Sequence, residues 1–114
     1  MQRLIPQKET VRVELKSDLK KLPDRELVLA AVCLANTEGG EIYLGVENDG
    51  RVTGLHAEHA DITGLAALIA NRTVPPLSVR TSLIEAEGKR VARIEVPRSV
   101  RPVASADGTL QRRR

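Results

Sequence analysis

The sequence has few aromatic residues and a single cysteine. Tyr43 is the only aromatic side chain in a chain that is 41% hydrophobic. We therefore expect an aliphatic core, and the sequence excludes the row of aromatic platforms on which many single-strand binders stack bases. The lone Cys33 excludes an intramolecular disulfide and a multi-cysteine zinc site. Its position in an apolar helical run favours a buried, hydrophobic role.

Long apolar runs and nucleotide-binding motifs are also missing. No stretch approaches the roughly 20 apolar residues that cross a bilayer, and residues 1–9 lack the apolar region of a signal peptide. We therefore expect a cytoplasmic protein with no membrane partner. Neither a phosphate-binding loop ending in Gly-Lys-Ser/Thr nor a dinucleotide fingerprint occurs, so we predict no nucleotide cofactor.

The first half of the chain shows a strand, a buried helix and a hairpin. Apolar and polar residues alternate over 10–16, which predicts a strand. The stretch 27–35 is apolar on every side, which indicates a helix buried all round, and Asp24 is expected to cap it. Residues 41–47 and 51–54 flank an Asn-Asp-Gly turn and predict a hairpin.

The second half adds one helix and more hairpins. Apolar residues at helical spacing over 61–72 predict an amphipathic helix that ends before Pro75 and Pro76. Two further hairpins are predicted, with arms at 77–86 and 90–96 and at 103–105 and 109–112. Because no regular β-α-β alternation occurs, we predict an α+β fold with a mixed, mostly antiparallel sheet and two main helices.

A chain of 114 residues fits one domain. We predict a single domain over 1–114, with a core at 8–112 and an N-terminal arm at 1–7. Three arginines close the last predicted strand. This ending is compatible with a short domain and equally with a piece of a longer polypeptide.

Positive charge is concentrated in the second half of the chain. Residues 1–57 hold 8 basic and 9 acidic side chains, whereas residues 58–114 hold 10 and 6. A basic cluster attracts phosphate through steering and counterion release, although a solvated face and tail would have the same composition. The candidate nucleic-acid-binding residues are Lys89, Arg90, Arg93, Arg98, Arg101, Arg112, Arg113 and Arg114, with Lys16, Lys20 and Lys21 as a second patch.

Three linked motifs resemble the AlbA-like domain of the Schlafen family. They are Glu9-Thr-Val-Arg-Val-Glu14-Leu-Lys16, Ala35-Asn-Thr-Glu-Gly-Gly40, and Ile42-Tyr-Leu-Gly-Val-Glu-Asn-Asp-Gly50 followed by Val52-Thr-Gly54. The resemblance runs from about Glu9 to about Arg112. It implies an AlbA-like fold and DNA or RNA binding, as in the bacterial members described as DNA-binding domains of transcriptional regulators.

The same resemblance implies an enzymatic alternative, because some Schlafen proteins are endoribonucleases that hold a divalent metal with three acidic side chains. Mapped onto this sequence, the metal ligands are Glu9, Glu14 and Asp49. Glu47 stands where the family has the first aspartate of its turn. Carboxylates are hard ligands for Mg²⁺ or Mn²⁺, which polarise a phosphodiester and activate water, and Lys16 on the strand face of Glu14 would stabilise phosphate charge.

Glu9 and Glu14 also have a plainer interpretation as solvated charges paired with neighbouring lysine and arginine residues. Their offset of five would place them on opposite faces of a straight strand, so convergence requires a bend between them. Without the nuclease activity no metal cofactor is expected. A third hypothesis, of another class, is an oligomerisation or protein-interaction module in which the edge of the last hairpin pairs with another copy, giving a homodimer.

Overall fold

The computed structural model describes residues 5–107. Neither helix in that range is long and apolar enough to cross a bilayer. The elements in chain order are β1 (Val13–Lys16), α1 (Asp24–Ala35), β2 (Gly40–Leu44), a short 3₁₀ helix (Ala57–His59), α2 (Leu65–Asn71), β3 (Thr73–Val74), β4 (Arg80–Ala86), β5 (Lys89–Val96) and β6 (Ala104–Ser105).

The strands form one four-stranded sheet and one two-stranded ribbon. The sheet has the order β1-β2-β5-β4, and the ribbon consists of β3 and β6. Strand β1 is parallel to β2, since α1 connects them, whereas the β2–β5 and β4–β5 pairs are antiparallel. The predicted α+β class, with two main helices and a mixed, mostly antiparallel sheet, is confirmed.

The two faces of the sheet carry separate hydrophobic cores because side chains alternate along each strand. On one face, α1 packs against β2 and β5, and α2 packs against α1 and β4; this face is called the helix face. On the other face, the turn after β2 and the start of the chain cover a smaller core. Its buried members are Ile5, Leu15, Tyr43, Val46, Val52 and Val91, so at least one residue of the predicted N-terminal arm is packed in the interior.

Helix α1 is buried on nearly every side, as its composition predicts. The predicted cap is wrong: Pro23 occupies the N-cap position, and Asp24 is the first helical residue and makes no capping hydrogen bond. The Asp24 carboxylate lies 3.7 Å from the Arg72 guanidinium instead. At the other end, the Gly39 N–H donates to the Leu34 carbonyl at 2.7 Å. Gly39 has a φ of +73°, a conformation that glycine adopts without steric cost.

Several predicted boundaries are wrong because local turns shorten the elements at one end. Strand β1 begins three residues later than predicted, after a turn at 10–13, and β2 ends at Leu44. The predicted strand at 51–54 is reduced to a single bridge between Val46 and Val52. Helix α2 begins at Leu65 and not at Asp61. The residues before it form a turn in which the Asp61 carboxylate accepts the Thr63 N–H.

The predicted hairpin at 77–86 and 90–96 is confirmed as β4 and β5, joined through Glu87 and Gly88. The last predicted hairpin is different. Its first arm, 103–105, contains strand β6, which pairs with β3. Its second arm, 109–112, lies outside the described residues. A two-residue strand directly after α2 gave no recognisable pattern, so the sequence could not indicate this ribbon.

Candidate functional site

The bend that the acidic residues require is present. Thr10 and Val13 exchange both of their backbone hydrogen bonds, at 3.0 and 3.3 Å, which closes a tight turn before β1. The chain before the turn folds back along β1, and the Glu9 carboxylate accepts the Leu15 N–H at 3.1 Å. Glu9 is therefore held beside the backbone that carries Glu14.

Lys16 and Glu14 lie on the same face of β1, as their spacing predicts. The Lys16 ammonium is 3.7 Å from a Glu14 carboxylate oxygen. Beyond the end of the strand, Lys16 lines an open groove of about 410 Å³ together with Glu47 and Asp49. Three residues of the nuclease alternative, Lys16, Glu47 and Asp49, thus meet at the end of β1, whereas Glu14 lies two residues before Lys16 and Glu9 is bonded to Leu15 of the same strand.

The carboxylates of the turn after β2 already have protein partners. Asp49 accepts the Arg51 backbone N–H at 3.0 Å and the Arg51 Nε at 2.8 Å. These two contacts, the backbone bond first, hold the pKa of Asp49 below its ordinary value. Glu47 accepts the Thr53 hydroxyl at 2.6 Å. Both side chains are fixed within the turn by these bonds.

A divalent metal does not fit this arrangement of side chains. Within residues 5–107, no three His, Cys, Asp or Glu side chains are grouped so that they could hold an ion. Glu9 is engaged with the β1 backbone, and Asp49 is paired with a guanidinium that would compete with a cation. The metal-ligand assignment to Glu9, Glu14 and Asp49 therefore stays a prediction, and no step through a metal is derived.

Two glycines allow the turn after β2 to lie against the chain that follows it. The Gly54 N–H and the Thr53 N–H both donate to the Gly45 carbonyl, at 2.9 and 3.0 Å. Gly45 has a φ of +107°, and a Cβ there would lie 2.9 Å from the Gly54 carbonyl carbon. Only glycine allows that approach without strain.

The residue that holds the loops at this end of the sheet together is not among the predicted site residues. Asp18 is fully buried, and its carboxylate accepts the Leu22 N–H at 2.7 Å and the His56 N–H at 2.8 Å. It also contacts His59 Nδ1 at 2.7 Å. An aspartate in a polar loop resembles surface charge, and neither His56 nor His59 belongs to a recognised motif, so no local signal indicated this cluster.

Asp18 brings two pairs of basic residues to the same end of the sheet. Lys20 and Lys21 are exposed on the loop that follows Asp18. Lys89 and Arg90 are exposed at the start of β5, and the Arg90 carbonyl accepts the Leu55 N–H at 2.8 Å, one residue from the His56 contact with Asp18. Together with Lys16, at the end of β1, these side chains define the loop-end basic surface: Lys16, Lys20, Lys21, Lys89 and Arg90.

The remaining predicted phosphate-binding residues lie elsewhere. Arg93 is on the face opposite α1, in ion pairs with Glu41 and Glu95. It also contacts the Tyr43 hydroxyl: burial raises the pKa of Tyr43, and the hydrogen bond with Arg93 opposes that rise. Arg98 and Arg101 are exposed beside the C-terminal end of α1, where they line a small pocket. Arg112, Arg113 and Arg114 lie outside the described residues.

Solved structures share this fold. A crystal structure of the DIP2311 protein from Corynebacterium diphtheriae is 24% identical and has a TM-score of 0.72; the match covers 91% of this chain and 23% of that one. An NMR structure from Nitrosomonas europaea is 21% identical and has a TM-score of 0.63, with 85% and 71% covered. It is the N-terminal domain of a protein named for its relation to the ATP-dependent DNA helicase RecG.

A search of curated proteins found no match. In the two structural matches, the aligned region spans about a quarter of the Corynebacterium chain and most of the Nitrosomonas domain. A family model described as Schlafen, AlbA_2 matches residues 9–114, which includes the two strands, the helix and the turn that carry the three motifs. The chain belongs to the Schlafen AlbA_2 family.

Proposed function

We propose that this domain binds the phosphate backbone of DNA or RNA through the loop-end basic surface. One observation carries the proposal: buried Asp18 and the segment at 54–56 hold two exposed basic pairs, one on a loop and one at the start of β5, at the same end of the sheet. None of these four side chains forms an ion pair with a carboxylate of the described chain, so their charge is available to an external anion. The family membership and the name of the helicase-related neighbour are compatible with such a partner.

Phosphate binding suits the chemistry of this surface. Lysine and arginine side chains on loops contact backbone oxygens, and such contacts supply affinity with little reading of sequence. The lack of aromatic side chains, apart from buried Tyr43, argues against base stacking as the main source of affinity. We therefore propose a binding module with low sequence specificity, acting in the cytoplasm within a larger nucleic-acid-associated protein such as a transcriptional regulator.

The test measures binding of labelled duplex DNA and of structured RNA at two salt concentrations. Substituting Lys20 and Lys21 by Ala, or Lys89 and Arg90 by Ala, should weaken binding and lower the salt dependence, by about 0.9 in the log–log slope for each lost contact to a duplex phosphate. The control Arg25→Ala with Arg72→Ala removes the same charge from two exposed arginines that already pair with Asp107 and Asp24. Equal losses in control and test variants would contradict the proposal, because they would reflect net charge alone.

A metal-dependent endoribonuclease is the second candidate. The observation in its favour is that Lys16, Glu47 and Asp49 line one groove beside Glu14, with Glu9 folded back onto the same strand. It requires Mg²⁺ or Mn²⁺ and a rearrangement of the turn carboxylates, since Asp49 is paired with Arg51. The same RNA is incubated with and without Mn²⁺: cleavage that disappears in Glu14→Ala supports this candidate, and binding without cleavage rejects it.

A further inference from the structure

Strand β4 is one of the two edge strands of the four-stranded sheet; along the other, β1, Glu9 from the preceding chain already accepts the Leu15 N–H. Strand β4 pairs with β5 along its whole length, and no other strand of the described chain lies on its outer side. An unpaired strand edge offers a row of backbone donors and acceptors, and proteins commonly block such an edge with proline, a bulge or lysine. Strand β4 contains no proline and no lysine, and its register with β5 is unbroken from Arg80 to Ala86, which excludes a bulge; its charged side chains, Arg80 and Glu85, are near its two ends.

The side chains of β4 favour a second copy of the same strand as the partner. Its centre is Leu83, a large hydrophobic residue that is 41% exposed. Its first residue is Arg80, and acidic side chains, Glu85 and Glu87, lie at or just beyond its other end. Antiparallel self-pairing brings the basic end of each strand towards the acidic end of the other, whereas parallel pairing would place Arg80 opposite Arg80.

We propose that two copies of this chain associate through antiparallel pairing of β4, centred on Leu83, to form a continuous eight-stranded sheet. A two-fold axis perpendicular to the sheet requires that opposing residues point to the same face. Centred on Leu83, this register places Leu83 opposite itself and Thr81 opposite Glu85 on the helix face, with Ser82 opposite Ile84 on the other face. No like charges oppose each other across the pair.

The dimer uses the outer edge of β4, and no residue of the loop-end basic surface is on that strand, although Lys89 and Arg90 of β5 lie beside Ala86 and Glu85 on its inner side. A single added strand pair buries less area than a standard interface of about 1,200–2,000 Å². We therefore expect a weak, reversible dimer whose population rises with the concentration of the chain. Sedimentation equilibrium of the whole chain should show the mass rise from 12.4 kDa towards twice that value.

Introducing a charge at the centre of β4 provides the first test. Leu83→Lys places two cations opposite each other, and Leu83→Glu places two anions, so each variant should be monomeric at concentrations where the unaltered chain dimerises. An equimolar mixture should recover a heterodimer. Circular dichroism verifies that both variants are folded, and the matched control is Val100→Lys, a fully exposed hydrophobic residue on the loop after β5, which should leave dimerisation unchanged.

Cysteine cross-linking tests the register. In a Cys33→Ala background, Leu83→Cys should form a covalent dimer under mild oxidation, because directly opposing Cα atoms lie about 4.5–5.5 Å apart, within disulfide range. Glu85→Cys is the control: in this register its two copies are separated by four residues, roughly 14 Å, and should not cross-link. A chain that is monomeric at all concentrations, a dimer that Leu83→Lys leaves intact, or cross-linking at 85 and not at 83 would overturn the proposal.

Discussion

At the scale of single residues, Asp18 is the side chain on which the loops near the candidate site depend. Its carboxylate is buried and accepts two backbone N–H groups besides contacting His59. Removing it leaves the buried Leu22 N–H and the partly buried His56 N–H without their acceptor. Each buried donor that loses its partner costs about 1–3 kcal/mol.

We therefore predict that Asp18→Ala lowers the free energy of unfolding by about 2–4 kcal/mol, measured by urea denaturation. Asp61→Ala is the control, because Asp61 is exposed and, among residues 5–107, bonds only to Thr63 of the same turn. That variant should lose no more than about 1 kcal/mol. Equal losses in the two variants would mean that Asp18 does not connect the loops.

Asp49 gives a second residue-scale prediction, which concerns its pKa. Arg51→Ala removes the guanidinium but keeps the backbone N–H, which is the larger cause of the lowered pKa. The pKa of Asp49, followed by NMR titration of its carboxyl carbon, should rise but stay below the ordinary value. The pKa of Asp61 is lowered by the N–H of Thr63 without any cation, so it should not move.

The sign of the associated stability effect follows from linkage. Because the folded-state pKa of Asp49 is lowered, its contribution is present above the unfolded pKa and is lost as the pH falls through the folded pKa. The contribution should be smaller in Arg51→Ala. A pKa of Asp49 that does not change in this variant would show that the ion pair is not maintained in solution.

At the scale of elements, the turn after β2 depends on the close approach of two glycines. Gly45→Ala should destabilise the protein by at least about 1–3 kcal/mol, because a Cβ combines an unfavourable positive φ with a contact to the Gly54 backbone. Gly64→Ala is the matched control, since Gly64 has a φ of −83° and open space where a Cβ would lie. This substitution should change the free energy of unfolding by no more than about 1 kcal/mol. Thermal or urea unfolding of both variants measures the two changes.

Elements with a strong local pattern could be predicted from the sequence, and elements that depend on distant partners could not. Helix α1 is apolar all round and β4–β5 alternate across an obvious turn, so both were correctly identified. Strand β6 pairs with β3, which is about 30 residues earlier in the chain, and two residues contain no periodicity. The cap of α1 was misassigned because Asp24 pairs with Arg72 across two helices, a contact that a local rule does not include.

The candidate site was predicted in part, for the same reason. Spacing along β1 placed Glu14 and Lys16 on one face, and the structure agrees. The position of Glu9 depended on a bend that the sequence could only state as a condition. Clustering of the two basic pairs depends on Asp18 and on hydrogen bonds between segments about 35–40 residues apart, which no local pattern reveals.

At the scale of the whole molecule, the basic segment of the sequence becomes two separate surfaces. Strand β5 carries Lys89 at one end and leads to Arg98 at the other, and at about 3.4 Å per residue Lys89 and Val96 are roughly 24 Å apart. Arg93, between them, is neutralised by Glu41 and Glu95. Positive charge that is continuous in sequence is therefore divided in space, and the two ends can be tested separately.

The last prediction compares these two ends. The loop-end basic surface is proposed to hold the phosphate backbone. The combined variant Lys20→Ala, Lys21→Ala, Lys89→Ala and Arg90→Ala should therefore have a lower affinity for nucleic acid and a smaller salt slope. The variant Arg98→Ala with Arg101→Ala should change the affinity and the salt slope only slightly. Distant substitutions contribute additively within about 0.5 kcal/mol, so all six together should match the sum of the two sets. If the arginine pair instead caused the larger loss, the binding surface would lie beside the C-terminal end of α1, at the opposite end of the sheet.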